Sequence, residues 1–195
     1  PILENLITNF SQERFDYVLK EANKLLSDYP TSFKLWNILG AVNTQMQKTQ
    51  DAMQCYEKAI ELRHDYAEAH NNLGNLLKNE GQYEKAIVSY KKALEIKPDL
   101  YEATYNLGVM LQEIGRLDEA CAAYIQAVNL NPDLTDAYVN LGIAIKNARF
   151  NSSNRKLYPV LIQLLTTGNV ARPQDVAGSI LSLLEYDPLI KDLLL

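Results

Sequence analysis

The 195-residue chain lacks most of what a catalyst needs. It has only two histidines, His64 and His70, whose spacing does not put them on one helix face as an i, i+4 metal pair would. No His-Glu-x-x-His run, phosphate-cradling glycine loop or nucleophile elbow occurs. Two cysteines, Cys55 and Cys121, fit no metal or redox spacing. They read as buried free thiols of a reducing compartment, so a cytoplasmic location is expected. No apolar run reaches the roughly 18 residues of a membrane span, and no basic segment followed by an apolar stretch opens the chain as a secretory signal would. The 19 basic residues are outnumbered by 24 acids, for a net charge of −5, and form no dense run. A nucleic-acid partner, which would call for a basic stripe, is therefore not expected. The chain opens on Pro1 rather than Met, which fits a processed product or a piece of something longer.

What is present is a repeat. Apolar residues make up 47% of the chain, enough for an ordinary domain with a sizeable core. Residues 33–66, 67–100 and 101–134 align without gaps at a period of 34, and a partial copy spans 135–148. Leu-Gly pairs recur at Leu39-Gly40, Leu73-Gly74, Leu107-Gly108 and Leu141-Gly142. Alanine recurs at Ala52, Ala86 and Ala120 and again at Ala59, Ala93 and Ala127, and tyrosine at Tyr56, Tyr90 and Tyr124. Small residues let two helices approach closely, and the tyrosine fills the space they leave. Gly81 and Gly115 sit where a helix is expected to end in a left-handed residue. Pro30, Pro98 and Pro132 stop the second helix, with His64 standing in once. Each copy therefore reads as helix, tight turn, helix. One hairpin cannot bury its apolar face alone, so stacking into an α-solenoid with one concave face follows.

Residues 1–32 look like a degenerate hairpin of the same kind. Phe15, Val18, Ala22 and Leu25 fall on one helical face ahead of Pro30. From Arg149 the pattern dissolves. Residues 149–195 hold an amphipathic set at Leu157, Leu161, Leu164 and Leu165, then further helices opened by Pro173 and Pro188. They read as a helical cap, or as a connector to a further domain.

These spaced residues resemble the tetratricopeptide repeat family, whose pattern is Trp-x2-Leu-Gly-x2-Tyr, then Ala-x3-Phe, then Pro. It stands here as Trp36, Leu39, Gly40, Ala52 and Tyr56, and as Leu73, Gly74, Ala86, Tyr90 and Pro98. Asn43, Leu77, Leu111 and Ile145 depart from it at the tyrosine position. The resemblance implies an all-α, right-handed α-solenoid of helix hairpins with a helical C-terminal cap. It also implies that the first helix of each hairpin lines the concave face.

On that face the sequence spends residues that helices disfavour. Position six of successive copies is Ile38, Asn72, Asn106 and Asn140. Glu68, Asn72, Asn75 and Asn79 are spaced four, three and four, so they share a helix face. An amide offers an acceptor and two donors, the complement of a peptide backbone. The row resembles the asparagine ladder in the repeats of O-GlcNAc transferase, carried onto Asn72, Asn106 and Asn140 only. Glu68, Glu102 and Asp136 form a second row at position two, where they could favour a basic peptide and also complement the helix dipole, and Lys78 lies on or beside the groove. The expected function is non-catalytic: a protein-interaction module that holds a peptide or protein segment in its groove, with no cofactor or metal. Two other readings stand beside it. One is the substrate-recognising front of a larger glycosyl-, sulfo- or methyltransferase. The other is a self-associating scaffold stacked end to end.

Overall fold

The computed structural model describes residues 2–147. Among them the secondary structure is nine α-helices and no strand. These are α1 (Ile2–Ser11), α2 (Phe15–Asp28), α3 (Phe33–Gln45), α4 (Thr49–Leu62), α5 (Ala67–Asn79), α6 (Tyr83–Ile96), α7 (Tyr101–Glu113), α8 (Leu117–Leu130) and α9 (Thr135–Asn147). The cap or connector expected over 149–195 lies outside the described residues. The chain divides into two compact units, Pro1–Pro98 and Asp99–Leu195. Repeats bury surface mainly against their neighbours, which makes such a division natural.

Within the first unit, α1/α2, α3/α4 and α5/α6 form three hairpins, each packed against the next. The turns are built alike. At Glu13, Gln47 and Gly81 the backbone enters the left-handed region, with φ of 58°, 59° and 70°. The N–H of that residue bonds back three positions, and the next N–H bonds back five: Gln82 to the Leu77 carbonyl at 2.9 Å, Lys48 to Asn43 at 2.8 Å, Arg14 to Asn9 at 3.0 Å. These 6→1 bonds satisfy carbonyls that the ending helix would leave orphaned. Their donors, Arg14, Lys48 and Gln82, are also the residues that precede α2, α4 and α6. One turn thus closes a helix and starts the next without any side-chain cap. Glycine takes the left-handed position freely at Gly81. Glu13 and Gln47 adopt it against a steric cost of about 1–2 kcal/mol each.

The hairpins close on a ring set against a missing side chain. Tyr56 and Tyr90 are 3% and 0% exposed. A Cβ on Gly40 would lie 2.5 Å from the Tyr56 ring, and one on Gly74 would lie 2.7 Å from the Tyr90 ring. Only glycine leaves room there. Ala52, Ala59, Ala86 and Ala93 are fully buried and let the second helix lie close. The first hairpin joins this core through Leu6, Val18, Ala22 and Leu26, which cluster with Leu35, Leu39, Val42 and Cys55, while Phe15 and Leu25 pack at the edge. The face expected on α2 is therefore present, with Leu26 as its innermost C-terminal member.

The second unit repeats the plan. α7 and α8 form a hairpin and α9 packs on both. Gly115 turns the chain at φ 77°, and Arg116 closes the 6→1 bond to Leu111 at 2.8 Å. Tyr124 is fully buried, against a Gly108 whose Cβ would come within 2.7 Å of the ring. Cys121, Met110, Leu141 and Ile145 complete the interior.

Candidate functional site

The first helices of the hairpins in the first unit, α1, α3 and α5, lie side by side, with α3 touching both neighbours. Asn72 on α5 is half-buried and donates from Nδ2 to Asn37 Oδ1 on α3 at 3.1 Å. Asn37 in turn donates from its own Nδ2 to the Tyr66 hydroxyl at 3.4 Å. Tyr66 is held by an edge-on contact with Phe33, centroids 4.9 Å apart, under which Arg63 sits at 4.4 Å. Burial pushes the Tyr66 hydroxyl up in pKa, the Glu68 charge adds to this, and the Asn37 bond opposes it.

The second unit contains the same link. Asn140 on α9 donates from Nδ2 to the Tyr105 hydroxyl on α7 at 3.0 Å. Both links join residues 35 apart in the sequence, position five of one copy to position six of the next. An asparagine so anchored spends one N–H on the adjacent repeat and keeps its carbonyl and second N–H for another group.

The remaining candidates divide. Asn75 is drawn into the core, accepting from the Tyr90 hydroxyl at 2.8 Å. That bond satisfies a phenol which burial drives well above its ordinary pKa. Asn79 is exposed at the C-terminal end of α5. Glu68, in the first turn of α5, faces Lys97 at 3.7 Å. Lys78 is half-buried, and its pKa is lowered by that burial. On α7, Asn106 is half-buried and engaged within the protein. Glu102 is exposed in the first turn of the same helix. His70 is half-buried, with Nε2 3.1 Å from the His64 carbonyl; a carbonyl only accepts, so Nε2 carries the proton.

Sequence reasoning passed over Asn37 and Tyr66. The signal that would have linked Asn37 to Asn72, and Tyr105 to Asn140, is the 35-residue offset, one longer than the repeat, which pairs unlike positions of adjacent copies. It also passed over an open recess of about 240 Å³ between α1 and α3. Leu3, Ile7 and Phe10 form one side, Ile38 and Ala41 the other, with Lys34, Asn37 and Tyr66 contributing polar groups. Ile38 stands in the asparagine row, and its wall is where the polar character of that row gives way. Among the described residues no group of three or more His, Cys, Asp or Glu is placed to hold a metal ion. No helix among them is long and apolar enough to cross a membrane.

Comparison with known proteins agrees with the architecture. A tetratricopeptide repeat model matches residues 67–100, a second of that description matches 89–122, and a TPR repeat model matches 40–80 and 110–147. The chain is 35% identical over 77 residues to a peroxisomal targeting signal receptor of Candida albicans. That match takes in 40% of this chain and 13% of the receptor, so the chain corresponds to a small part of that relative. Among solved structures, MamA superposes with a TM-score of 0.67 at 20% identity, covering 92% of this chain and 96% of that one. YrrB, described as a TPR protein with an unusual peptide-binding site, superposes with a TM-score of 0.65 at 20% identity, covering 85% and 84%.

Proposed function

Since the chain belongs to the tetratricopeptide repeat family, we propose that it is a non-catalytic interaction module that grips extended protein segments on the first helices of its hairpins, within each unit. The observation that carries this reading is the anchoring of Asn72 and Asn140. Each is fixed by one N–H to the preceding repeat and presents the rest of its amide in a set orientation. Immobilising a side chain on binding costs roughly 0.5–1.5 kcal/mol. An amide already held in place escapes much of that cost. It reads backbone rather than side chain, so it supports broad peptide recognition with specificity supplied elsewhere. The two buried, unpaired thiols suit a reducing compartment, and the module is assigned to the cytoplasm.

The test is selection of twelve-residue peptides from a random display library. Peptides enriched on the wild-type protein are titrated against Asn72→Ala/Asn106→Ala/Asn140→Ala, with circular dichroism to confirm the fold. Weakened binding by the triple variant is expected. Unchanged affinity removes the asparagines from the site. Asn37→Ala supplies a finer check, because it leaves Asn72 in place but releases it. Affinity should fall there too, by less.

A further inference from the structure

The geometry points to the recess between α1 and α3 as an anchor for one large apolar side chain of the bound peptide, with Lys34 selecting a carboxylate beside it. This rests on the peptide-binding reading above and specifies the partner's chemistry at one end of the face. The recess measures about 240 Å³, below the roughly 300–1,000 Å³ of typical small-molecule sites, which suits a single side chain. Ile7 is 57% exposed on its wall. Leaving such hydrocarbon in water gains nothing, and covering it on binding is favourable.

The neighbouring repeat sharpens the contrast. One period on, Ile38 and Ala41 become Asn72 and Asn75. The polar grip of α5 is thus replaced on α3 by an apolar wall. The charge is replaced as well. Lys34 corresponds to Glu68. Glu68 faces Lys97, whereas Lys34 is exposed, lies 6.0 Å from the Phe33 ring centroid, and has no ion pair among the described residues. A hydrocarbon recess bordered by an unpaired cation complements an apolar residue followed or preceded by an acid. A basic neighbour would meet like charge.

Three labelled peptides test this, each eight residues long with a Gly/Ser background and a central Phe-Asp, Gly-Asp or Phe-Lys pair. Titrated against the wild-type protein by fluorescence anisotropy, Phe-Asp should bind about ten- to a hundredfold more tightly than Gly-Asp, the ratio expected for burying one large apolar group. Its advantage over Phe-Lys should be about two- to fivefold, as befits an exposed ion pair. Ala41→Trp fills the recess and should erase the first ratio. Lys34→Glu should invert the second. Equal affinities of Phe-Asp and Gly-Asp for the wild-type protein overturn the anchor, and an Asp preference that survives in Lys34→Glu overturns the role of the lysine. If all three peptides bind alike and all weaken in the asparagine triple variant, the anchor fails while the backbone grip stands. If none binds at any soluble concentration, both fall.

Discussion

Replacing Gly74 by alanine tests the packing argument most directly, because two effects of known size oppose each other there. In a helix interior, alanine is favoured over glycine by about 1 kcal/mol, so a helix with free space at this position would gain. The added Cβ, however, would lie 2.7, 2.9 and 3.0 Å from Cε1, Cδ1 and Cζ of Tyr90, where carbon atoms prefer about 3.5–4.0 Å. The ring has nowhere to retreat: it is 0% exposed, and its hydroxyl is tied to Asn75 at 2.8 Å. Overpacking of this kind costs typically about 1–3 kcal/mol, and a displaced ring also weakens a hydrogen bond with a net worth of about 1 kcal/mol. The balance falls against alanine by about 1–3 kcal/mol. Urea unfolding should show a lower midpoint with an unchanged slope. The decisive measurement is a double-mutant cycle with Tyr90→Leu. With the ring gone, Gly74→Ala should turn neutral or stabilising. If Gly74→Ala stabilises the wild-type protein, the claim that the tyrosine dictates glycine is wrong.

Two further outcomes follow from the turns and the buried phenols. Gln47→Gly should stabilise the protein by about 1 kcal/mol, and Gly81→Ala should destabilise it by a similar amount through backbone strain alone, since nothing lies within 4 Å of a Cβ at Gly81; thermal melts that show neither shift count against the left-handed turns. Burial holds Tyr56 up to about 12 and raises Tyr90 and Tyr124 as well. A hydroxyl whose folded pKa is raised favours folding below its unfolded value and loses that contribution as pH climbs toward the folded one. Stability should therefore hold to about pH 10 and decline above it. In absorbance at 295 nm, three of the twelve tyrosines should ionise only as the protein unfolds. Normal titration of all twelve below pH 11 would contradict the burial.

The hairpins were legible because their determinants repeat. A glycine and a tyrosine kept 16 residues apart at Gly40–Tyr56, Gly74–Tyr90 and Gly108–Tyr124 announce one close approach made three times. The left-handed turns were legible only where glycine marks them. Glu13 and Gln47 hide the same geometry behind ordinary residues, and the 34-residue period alone betrays them. The sequence places the asparagines on one helix face, but their division of labour was not readable. Which side chain meets a buried phenol depends on where the hydroxyl reaches. It reaches Thr44 from Tyr56, Asn75 from Tyr90 and Gln112 from Tyr124. Tyr56 and Tyr124 therefore draw on the same position of their repeats, and Tyr90 on another three residues earlier. The recess escaped notice because its walls come from two helices more than 20 residues apart in sequence, neither of which shows a cavity alone.

The unequal turns give the first unit a soft end. Glu13 and Gln47 hold their corners against steric resistance, and Gly81 does not. Fraying should therefore begin at α1 and α2 and progress toward α5, and amide protons should exchange in that sequence. The apolar recess lies at the end that loosens first. Whatever seats itself there would also act as a splint, so the grip of a partner and the rigidity of the hairpins that line the recess would rise and fall together.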